Sequence, residues 1–388
     1  MAFALNRAEL ALLEILKEEI SEKENFGGHI LSVEALTQVM QLAQEHTVSG
    51  LVADAVIEGR LTVAPVIQSR TETAKLMRTR MNHLRMYHKF ATVIGRLAIL
   101  MDKHNIRYVM FKGMAVARFY KSSYARTMGD VDFYVPDSSF YKAVSVIEQE
   151  WHIAIDKDDI DKHFCFEYEG IRLEIHSRIE TFGNNRHQRY FNRMIDGSIA
   201  NEKVCFELNG IGVERQAVFV SVLSPIEDLI VVFKHWFNHL IVEGVGLRQT
   251  VDLAVLLQSY KGKTDRNRLQ HHLTEIGYLD AFLAMAAMMK KYFSLSCVDN
   301  LFLLSKKDEI YGDMLMATVM ESGNFGKLAY KNHSFGVMKS FETAKIALRH
   351  CAKFFWFAPT DILCLMPKRI GITLKRRFEF LEKSMIFL

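Results

Sequence analysis

The sequence predicts an α+β protein in which a small α/β unit lies between two helical regions. Its 388 residues include only five prolines beside 21 glycines, and so few helix breakers favour long helices over an all-β plan. Short apolar runs typical of strands are concentrated between residues 105 and 180, whereas helical periodicity dominates before and after them. We therefore expect a helical region over 1–104, an α/β core over 105–215 and a C-terminal helical domain over 216–388.

Composition and charge narrow the class of protein. With 49% hydrophobic and 24% charged residues, the chain has the composition of a globular protein with a large core. A net charge of +4 is too small to indicate a nucleic-acid partner, although it leaves one open. The five cysteines are odd in number and show no CxxC spacing, so we expect no disulfide framework and a reducing, cytoplasmic environment.

The sequence shows no pattern typical of a secreted or membrane-spanning protein. Its first residues, MAFALNRAELALLEILKEEI, alternate charged and apolar side chains and predict an amphipathic helix rather than a signal peptide. The longest apolar stretch, AFLAMAAMM at 281–289, is far shorter than the ~20 residues that cross a bilayer. We therefore expect no transmembrane segment.

Two further helices are expected in the N-terminal region. The segment SVEALTQVMQLAQEH begins at Ser32, a residue type that caps helix N-termini. Its apolar residues recur at helical spacing, at Leu36, Val39, Met40 and Ala43. A longer, charged helix is expected over about 68–104, where no proline interrupts the pattern.

The α/β unit has the predicted order β-α-β-α-β-β. A strand in NIRYVMFKG ends at Gly113, a helix follows in MAVARFYKSSY, and DVDFYV is a second strand. SSFYKAVSVIEQE predicts a helix capped by Ser138 or Ser139. HFCFEYEGIRLEIHSRI predicts a hairpin that turns at Glu169 and Gly170.

The C-terminal domain opens with SPIEDLIVVFKHWFNHL. Ser224, Pro225 and Glu227 predict a helix start with a capping box and a proline at its first position. The tail over 352–388 mixes aromatic residues with the basic residues Lys368, Arg369, Lys375, Arg376 and Arg377. Packing against the rest of the chain is favoured for this tail over the binding of a partner.

Two aspartates stand one residue apart in RTMGDVDFYV, just before an apolar run. Asp130 and Asp132 point to the same side of the predicted strand, where they repel each other unless a cation or a proton lies between them. Glu174 lies on the polar face of a later strand and could join them. Three such oxygens suit Mg²⁺, and a solvated strand start is the alternative.

Other residues near these carboxylates suggest supporting roles. FKGMA forms a strand-to-helix turn at which Lys112 and free backbone N–H groups could face a phosphate. His176 is a candidate hydrogen-bonding partner of the metal ligands. His235 and His239 have a zinc-like spacing but no evident third ligand, so a structural or substrate-contact role is favoured. Arg248 is spaced to pair with Asp252 across one helical turn.

The pattern resembles the DNA polymerase beta-like nucleotidyltransferase superfamily: strand, glycine turn, helix, then hydrophobic-Asp-x-Asp and a later carboxylate. More closely, it resembles a nucleotidyltransferase family whose members often occur in bacterial surface-polysaccharide gene clusters. The matching segments, within roughly residues 30–280, are Phe111-Lys112-Gly113, Arg126-Thr127-Met128-Gly129-Asp130-Val131-Asp132, Glu174-Ile175-His176 and KHWFNHLIVEGVGLRQTVDLAVLL. Met114 departs from the serine or glycine usual in the superfamily.

The resemblance implies a fold, a cofactor and a set of site residues. It implies a small mixed-sheet nucleotidyltransferase core flanked by helical domains, with Asp130, Asp132 and Glu174 as catalytic residues and ligands of Mg²⁺ or Mn²⁺. The residues implied to bind the NTP and its phosphates are Lys112, Gly113, Arg126 and Gly129. Those implied to contact substrate or support the ligands are His176, His235, His239 and Arg248.

These observations favour a Mg²⁺-dependent nucleotidyltransferase that acts on an unidentified acceptor, such as a sugar or polysaccharide precursor. One alternative is a toxin-like transferase that modifies tRNA or protein. Another is a catalytically inactive binding module with the same fold. Three carboxylates kept together argue against the inactive module, because uncompensated charges destabilise a fold that does not use them.

Overall fold

A six-stranded mixed sheet, with helices on both faces, forms the centre of the protein. The computed structural model describes residues 4–21, 29–63, 70–157, 163–199, 202–208, 216–324 and 337–364. The strands are β1 (His29–Leu31), β2 (Leu61–Val63), β3 (Val109–Met110), β4 (Val131–Tyr134), β5 (His163–Tyr168), β6 (Ile171–His176), β7 (Glu202–Leu208) and β8 (Gln216–Val222). The helices are α1 (Arg7–Ile20), α2 (Val33–Glu45), α3 (Ser49–Ile57), α4 (Arg70–Lys103), α5 (Gly113–Ala117), α6 (Asp137–Trp151), α7 (Asn185–Ser198), α8 (Pro225–Val242), α9 (Leu247–Ser259), α10 (Arg266–Glu275), α11 (Leu279–Phe293), α12 (Val298–Leu301), α13 (Lys306–Ser322) and α14 (Val337–Phe354).

The predicted α+β class and the β-α-β-α-β-β order are confirmed. The order corresponds to β3-α5-β4-α6-β5-β6, and the spatial order of the sheet is β5-β6-β4-β3-β8-β7. Strand β4 runs parallel to β6 and antiparallel to β3. The β5–β6 hairpin turns at Glu169 and Gly170 with φ values of 51° and 67°, the left-handed pair that matches the twist of a two-residue hairpin.

The sheet continues beyond the predicted end of the core at residue 215. Strand β8 pairs in parallel with β3 through Met110 and Val222, and β7 forms the edge beside it. The predicted boundary falls in residues 209–215, which lie outside the described part of the chain. The sheet therefore draws on the chain up to Val222, while the division into domains stays a prediction.

The N-terminal region is mainly helical, but the expectation of helix throughout is wrong. Strands β1 and β2 form a two-stranded parallel sheet between the helices. Each strand has three residues, too few for a recognisable alternation of apolar and polar side chains. The other expectations are confirmed: the Ser32 side chain accepts the Ala35 N–H at 3.1 Å, and α4 spans Arg70–Lys103.

One predicted helix cap is wrong and another is confirmed only in part. Helix α6 begins at Asp137 after Pro136, so neither Ser138 nor Ser139 caps it. Ser224 does precede α8, with Pro225 at its first position, but its side chain makes no capping hydrogen bond. The capping box does not form because Glu227 instead pairs with Arg268 of α10. The Glu227 carboxylate, which the local sequence pattern predicts in the capping box, forms an ion pair with a distant helix instead.

Alternation along β4 sets which way its carboxylate points. Val131 and Phe133 pack in a cluster with α4 and α6, whereas Tyr134 belongs to a second cluster that includes α8, α9 and α11. Because alternate residues of a strand share a face, Asp132 points to the same side as Tyr134, towards α8. The candidate site therefore lies between the sheet and the C-terminal helices.

His46 joins the N-terminal helices to α9 and predicts a pH dependence of stability. Its side chain is fully buried, and its Nδ1 accepts the Leu247 N–H at 3.3 Å. Burial lowers the pKa of His46 from 6.5 to about 4, against a smaller opposing effect of Glu45. The folded state thus requires the neutral ring, so this stability is complete above pH 6.5 and is lost as the pH falls towards 4.

We expect the free energy of unfolding of the wild type to fall by at most about 3 kcal/mol through this group over that range. His46→Asn keeps an acceptor for the Leu247 N–H but does not titrate, so the difference between variant and wild type should change with pH. Urea unfolding at several pH values measures it. His152→Asn, at an exposed position after α6, is the control. A difference that is constant from pH 7 to pH 4 would contradict the prediction.

No described helix is both long enough and apolar enough to cross a membrane. The basic residues of the C-terminal tail, Lys368, Arg369, Lys375, Arg376 and Arg377, lie outside the described residues. The role predicted for that tail therefore stays a prediction.

Candidate active site

The structure brings two of the three predicted carboxylates together with a histidine. Asp132 on β4 lies directly opposite Glu174 on β6 in the parallel register. The carboxylates of Asp132 and Glu174 and a ring nitrogen of His176 all lie within 4.8 Å of one another. His176 Nε2 is 3.0 Å from Asp132 Oδ1 and 3.7 Å from Glu174 Oε2. Asp132 itself is only 5% exposed, so its charge is held away from water.

Asp130 adds a third negative charge immediately before β4. Burial and the neighbouring Asp132 carboxylate raise the pKa of Asp130, and Lys112 only partly offsets them. The pKa of Asp132 moves the other way: burial alone would raise it, but Lys112 and His176 hold it below its ordinary value. The charge of Asp132 is thus compensated by Lys112 and His176. The charge of Asp130 is not, because the nearest carboxylates repel it.

Lys112 and Gly113 form the predicted turn in a strained conformation. Lys112 has φ 58° and ψ −155°, a region populated almost only by glycine. At Gly113, with φ 40°, an added Cβ would lie 3.3 Å from the carbonyl oxygen of Asp130. The turn is therefore pressed against the aspartate strand. It places Lys112 Nζ 3.2 Å from Asp132 Oδ1.

The expected helix-end contribution to phosphate binding is small, because α5 has only five residues. The lysine charge is the stronger feature of the turn. Burial opposes that charge, but Asp132, Glu180 and Asp130 outweigh it and raise the pKa of Lys112. Met114, the departure from the superfamily pattern, packs in the cluster with α4 and α6.

Helix α8 supplies a polar wall opposite the sheet. His235 Nδ1 is 3.1 Å from Glu180 Oε1 and 3.4 Å from Lys112 Nζ. His239 Nε2 is 3.1 Å from His235 Nε2, and Asn238 donates to Glu180 Oε2 at 2.6 Å. Since an ionised Glu180 only accepts hydrogen bonds, we assign Nδ1 as the protonated nitrogen of His235.

Sequence reasoning missed Glu180, which is buried at the foot of this wall. Burial opposes its charge, but His235, Lys234 and Lys112 together lower the pKa of Glu180. Nothing in the segment HSRIETF marks this carboxylate, because its partners come from α8 more than 50 positions away. Asn238 was missed for the same reason. His163 and Cys165 were also missed, although the register of the predicted hairpin pairs them with His176 and Glu174 and could have identified them.

Arg126 is placed differently from its predicted phosphate contact. Its Nε and Nη2 each donate to Asp252 of α9 at 2.7 Å, and Tyr120 donates to the same carboxylate at 2.6 Å. Arg126 and Asp252 are each only 4% exposed. The pair fixes the segment before Asp130 to α9, so in this arrangement the guanidinium faces Asp252 rather than the carboxylates of the site.

Arg248 lies beside Gly129. It donates to the Thr127 carbonyl at 3.3 Å, and a Cβ at Gly129 would lie 3.6 Å from Arg248 Nη1. Burial and the nearby Arg126 lower the pKa of Arg248, with Asp252 opposing them. Two arginines thus flank the GDVD segment, and the predicted pairing partner of Arg248 is bound by Arg126.

Comparison with known proteins identifies the family. Residues 34–294 match the family described as "Uncharacterised nucleotidyltransferase", which is well over half of the chain. The chain belongs to this family. The match contains every element that builds the site of this nucleotidyltransferase-family protein, from β3 to α9. A search of curated proteins found no match.

Three solved structures show weaker similarity. An antigenic nucleotidyltransferase-like protein from Paracoccidioides brasiliensis is 15% identical, with a TM-score of 0.34 over 56% of this chain and 94% of its own. A tRNA nucleotidyltransferase with a primer tRNA and an ATP analogue is 11% identical, with a TM-score of 0.22 over 75% and 99%. A tRNA-processing enzyme in an apo form is 12% identical, with a TM-score of 0.22 over 72% and 84%. With TM-scores this low, the family assignment rests on the sequence match.

Proposed function

We propose that this protein is a divalent-metal-dependent nucleotidyltransferase that moves a nucleotidyl group from an NTP to an acceptor hydroxyl. The observation that carries the proposal is the convergence of Asp132 and Glu174 beside the Lys112–Gly113 turn, with Asp130 two residues before Asp132. Membership of a nucleotidyltransferase family supports the same class of reaction.

The donor set fits a hard divalent cation such as Mg²⁺ or Mn²⁺. Asp130, Asp132 and Glu174 offer carboxylate oxygens, the ligands that Mg²⁺ prefers, and Asp130 is crowded by negative charge that a cation would relieve. His176 hydrogen bonds to Asp132 and would orient that carboxylate. When bound, the cation would neutralise charge that develops on the triphosphate.

Residues of the chain would position the reactants, neutralise the phosphates and accept the proton of the acceptor. The acceptor oxygen attacks the α-phosphorus, the bond between the α-phosphorus and the bridging oxygen breaks, and pyrophosphate leaves. Lys112 Nζ, next to Asp132, supplies a positive charge for the phosphates. Glu174, whose side chain is 14% exposed, accepts the proton of the acceptor hydroxyl.

The wall formed by α8 is the proposed acceptor side of the site. Glu180 fixes His235 Nδ1, and His239 Nε2 lies 3.1 Å from His235 Nε2, so the two half-buried rings form a polar surface on this wall. Such groups bind hydroxyls, which fits a sugar or polysaccharide precursor as acceptor. We place the reaction in the cytoplasm, where NTPs are present. A tRNA or protein acceptor is the alternative that labelling experiments would reveal.

Metal-dependent nucleotide binding tests the site without knowledge of the acceptor. We expect Mg²⁺ plus an NTP to raise the melting temperature of the wild type, because a ligand bound only by the folded state stabilises it. Asp130→Asn should lose this shift. Without metal it should melt at or above the wild-type temperature, because it removes one crowded charge.

Differential scanning fluorimetry with each NTP, with Mg²⁺ or with EDTA, measures both effects. Glu167→Gln, an exposed position on β5, is the control and should behave as the wild type. A shift of equal size in wild type and Asp130→Asn would show that the nucleotide binds elsewhere. If no NTP changes the melting temperature of the wild type in the presence of Mg²⁺, the proposal is wrong.

A further inference from the structure

A second group of metal-ligating side chains adjoins the candidate active site. Strands β5 and β6 pair Cys165 with Glu174 and His163 with His176. Because residues two apart share a face of a strand, all four side chains lie on the face that carries Asp132. The rings of His163 and His176 stack with centroids 5.3 Å apart and an interplanar angle of 16°.

Three of these side chains have the spacing of a metal site. A ring nitrogen of His163, the Sγ of Cys165 and a carboxylate oxygen of Glu174 all lie within 4.8 Å of one another, and all three residues are half-buried. Bonds of about 2.0–2.3 Å in a tetrahedral zinc site place ligand atoms roughly 3.5 Å apart. Small side-chain rotations therefore suffice to close the three atoms around one ion.

The donor types separate this group from the carboxylate site. A thiolate and an imidazole select zinc and similar transition metals, whereas Mg²⁺ prefers oxygen ligands and gains nothing from sulfur. The two groups share a single residue, Glu174, which also lies beside Asp132 and His176. An ion bound by His163 and Cys165 would therefore also coordinate Glu174, which the carboxylate site with Asp132 uses.

We propose that His163, Cys165 and Glu174 bind Zn²⁺ or a similar thiophilic divalent ion, and that the bound ion inhibits the enzyme by withdrawing Glu174. The first half stands on the geometry of β5 and β6. The second half rests on the proposed nucleotidyl transfer. On binding, the Cys165 thiol releases one proton to solvent and coordinates as the thiolate.

The guanidinium of Arg172 lies beside Glu174 and Cys165, where the proposed metal ion would bind. Its Nη2 lies 2.8 Å from Glu174 Oε1 and 3.4 Å from Cys165 Sγ, while its side chain is 62% exposed. An ion pair this exposed contributes little to stability, far less than a metal bound through a thiolate and an imidazole. A thiophilic ion should displace the guanidinium, and removal of the guanidinium should tighten binding.

Cobalt substitution tests the binding directly, because Co²⁺ bound to a thiolate gives a charge-transfer absorption that oxygen and nitrogen ligands do not. Anaerobic Co²⁺ titration of the wild type should give this band with one ion per chain. Cys165→Ser should lack the band, His163→Ala should bind at least about 10-fold more weakly, and Arg172→Gln should bind more tightly.

Cys205→Ser is the matched control, because Cys205 is an exposed cysteine on β7 at the opposite edge of the same sheet. It should keep the band at the wild-type affinity. Absence of the band in the wild type, or its persistence in Cys165→Ser, would overturn the site.

Inhibition tests the second half separately. With Mg²⁺ in excess, Zn²⁺ should inhibit nucleotidyl transfer by the wild type and by Cys205→Ser but not by Cys165→Ser. Equal inhibition of the wild type, Cys205→Ser and Cys165→Ser would show that the ion does not inhibit by withdrawing Glu174. It would not change the conclusion that the cobalt titration gives about binding. The cobalt titration needs no enzymatic activity, so a failure of the proposed function and a failure of this site give different results.

Discussion

Replacing Asp132 with asparagine is expected to reduce nucleotidyl transfer by about 10³-fold or more, because asparagine carries no charge to hold a divalent cation beside the triphosphate. Asparagine keeps an oxygen that can accept the hydrogen bond from His176, which lies 3.0 Å from Asp132 Oδ1. The fold should therefore persist, as judged by circular dichroism. Incorporation of label from an NTP into an acceptor fraction measures the loss.

Glu174→Gln gives an independent check if Asp132→Asn is unstable. Glu174 is less buried than Asp132, with 14% of its side chain exposed against 5%, so its replacement disturbs the interior less. We expect a loss of transfer of similar size. Glu167→Gln on the exposed end of β5 should keep full activity. Wild-type rates in both site variants would show that these carboxylates do not carry the reaction.

Replacing Arg126 with methionine is expected to lower the free energy of unfolding by about 3–5 kcal/mol, because it leaves the buried Asp252 carboxylate without its countercharge. The two groups are joined by two hydrogen bonds of 2.7 Å. Arg126→Lys keeps the charge but loses the two-point geometry, so its loss should be intermediate. Urea unfolding of the wild type and both variants measures the series.

Two further variants separate this pair from an ordinary surface contact. Asp252→Asn added to Arg126→Met removes the unpaired charge and should recover part of the stability. Arg186→Met breaks the pair with Glu275, in which the arginine side chain is 75% exposed, and should cost less than about 1 kcal/mol. If Arg126→Met unfolds within about 1 kcal/mol of the wild type and instead weakens NTP binding, the predicted phosphate contact is correct.

The part of the fold predicted correctly is the part encoded by local pattern. Alternating side chains identified β4 and β6 and assigned Asp132 and Glu174 to one face, because the period of a strand is fixed by its backbone. The turn at Glu169 and Gly170 followed from its sequence because glycine readily adopts the positive φ that a two-residue hairpin turn requires. The site roles assigned to Asp130, Asp132 and Glu174 nevertheless stay predictions until they are measured.

What the sequence did not reveal depends on contacts between distant segments. Arg126 and Asp252 are 126 positions apart, and Glu180 meets His235 across 55 positions, so no local pattern pairs them. The capping box at Ser224 failed because Arg268, 41 positions from Glu227, binds the carboxylate instead. His163 and Cys165 are a different case, because the predicted hairpin already implied their pairing with His176 and Glu174 and the sequence interpretation did not use it.

The most direct test of the central claim asks which phosphate is transferred. Wild-type protein is incubated with Mg²⁺, an extract of the cells that produce it and NTPs labelled at either the α- or the γ-phosphate, with Asp132→Asn in parallel. We predict that α-label enters an acceptor, that γ-label leaves as pyrophosphate, and that Asp132→Asn transfers neither. Entry of γ-label into the acceptor, or equal transfer by wild type and Asp132→Asn, would contradict a nucleotidyltransferase site at Asp130, Asp132 and Glu174.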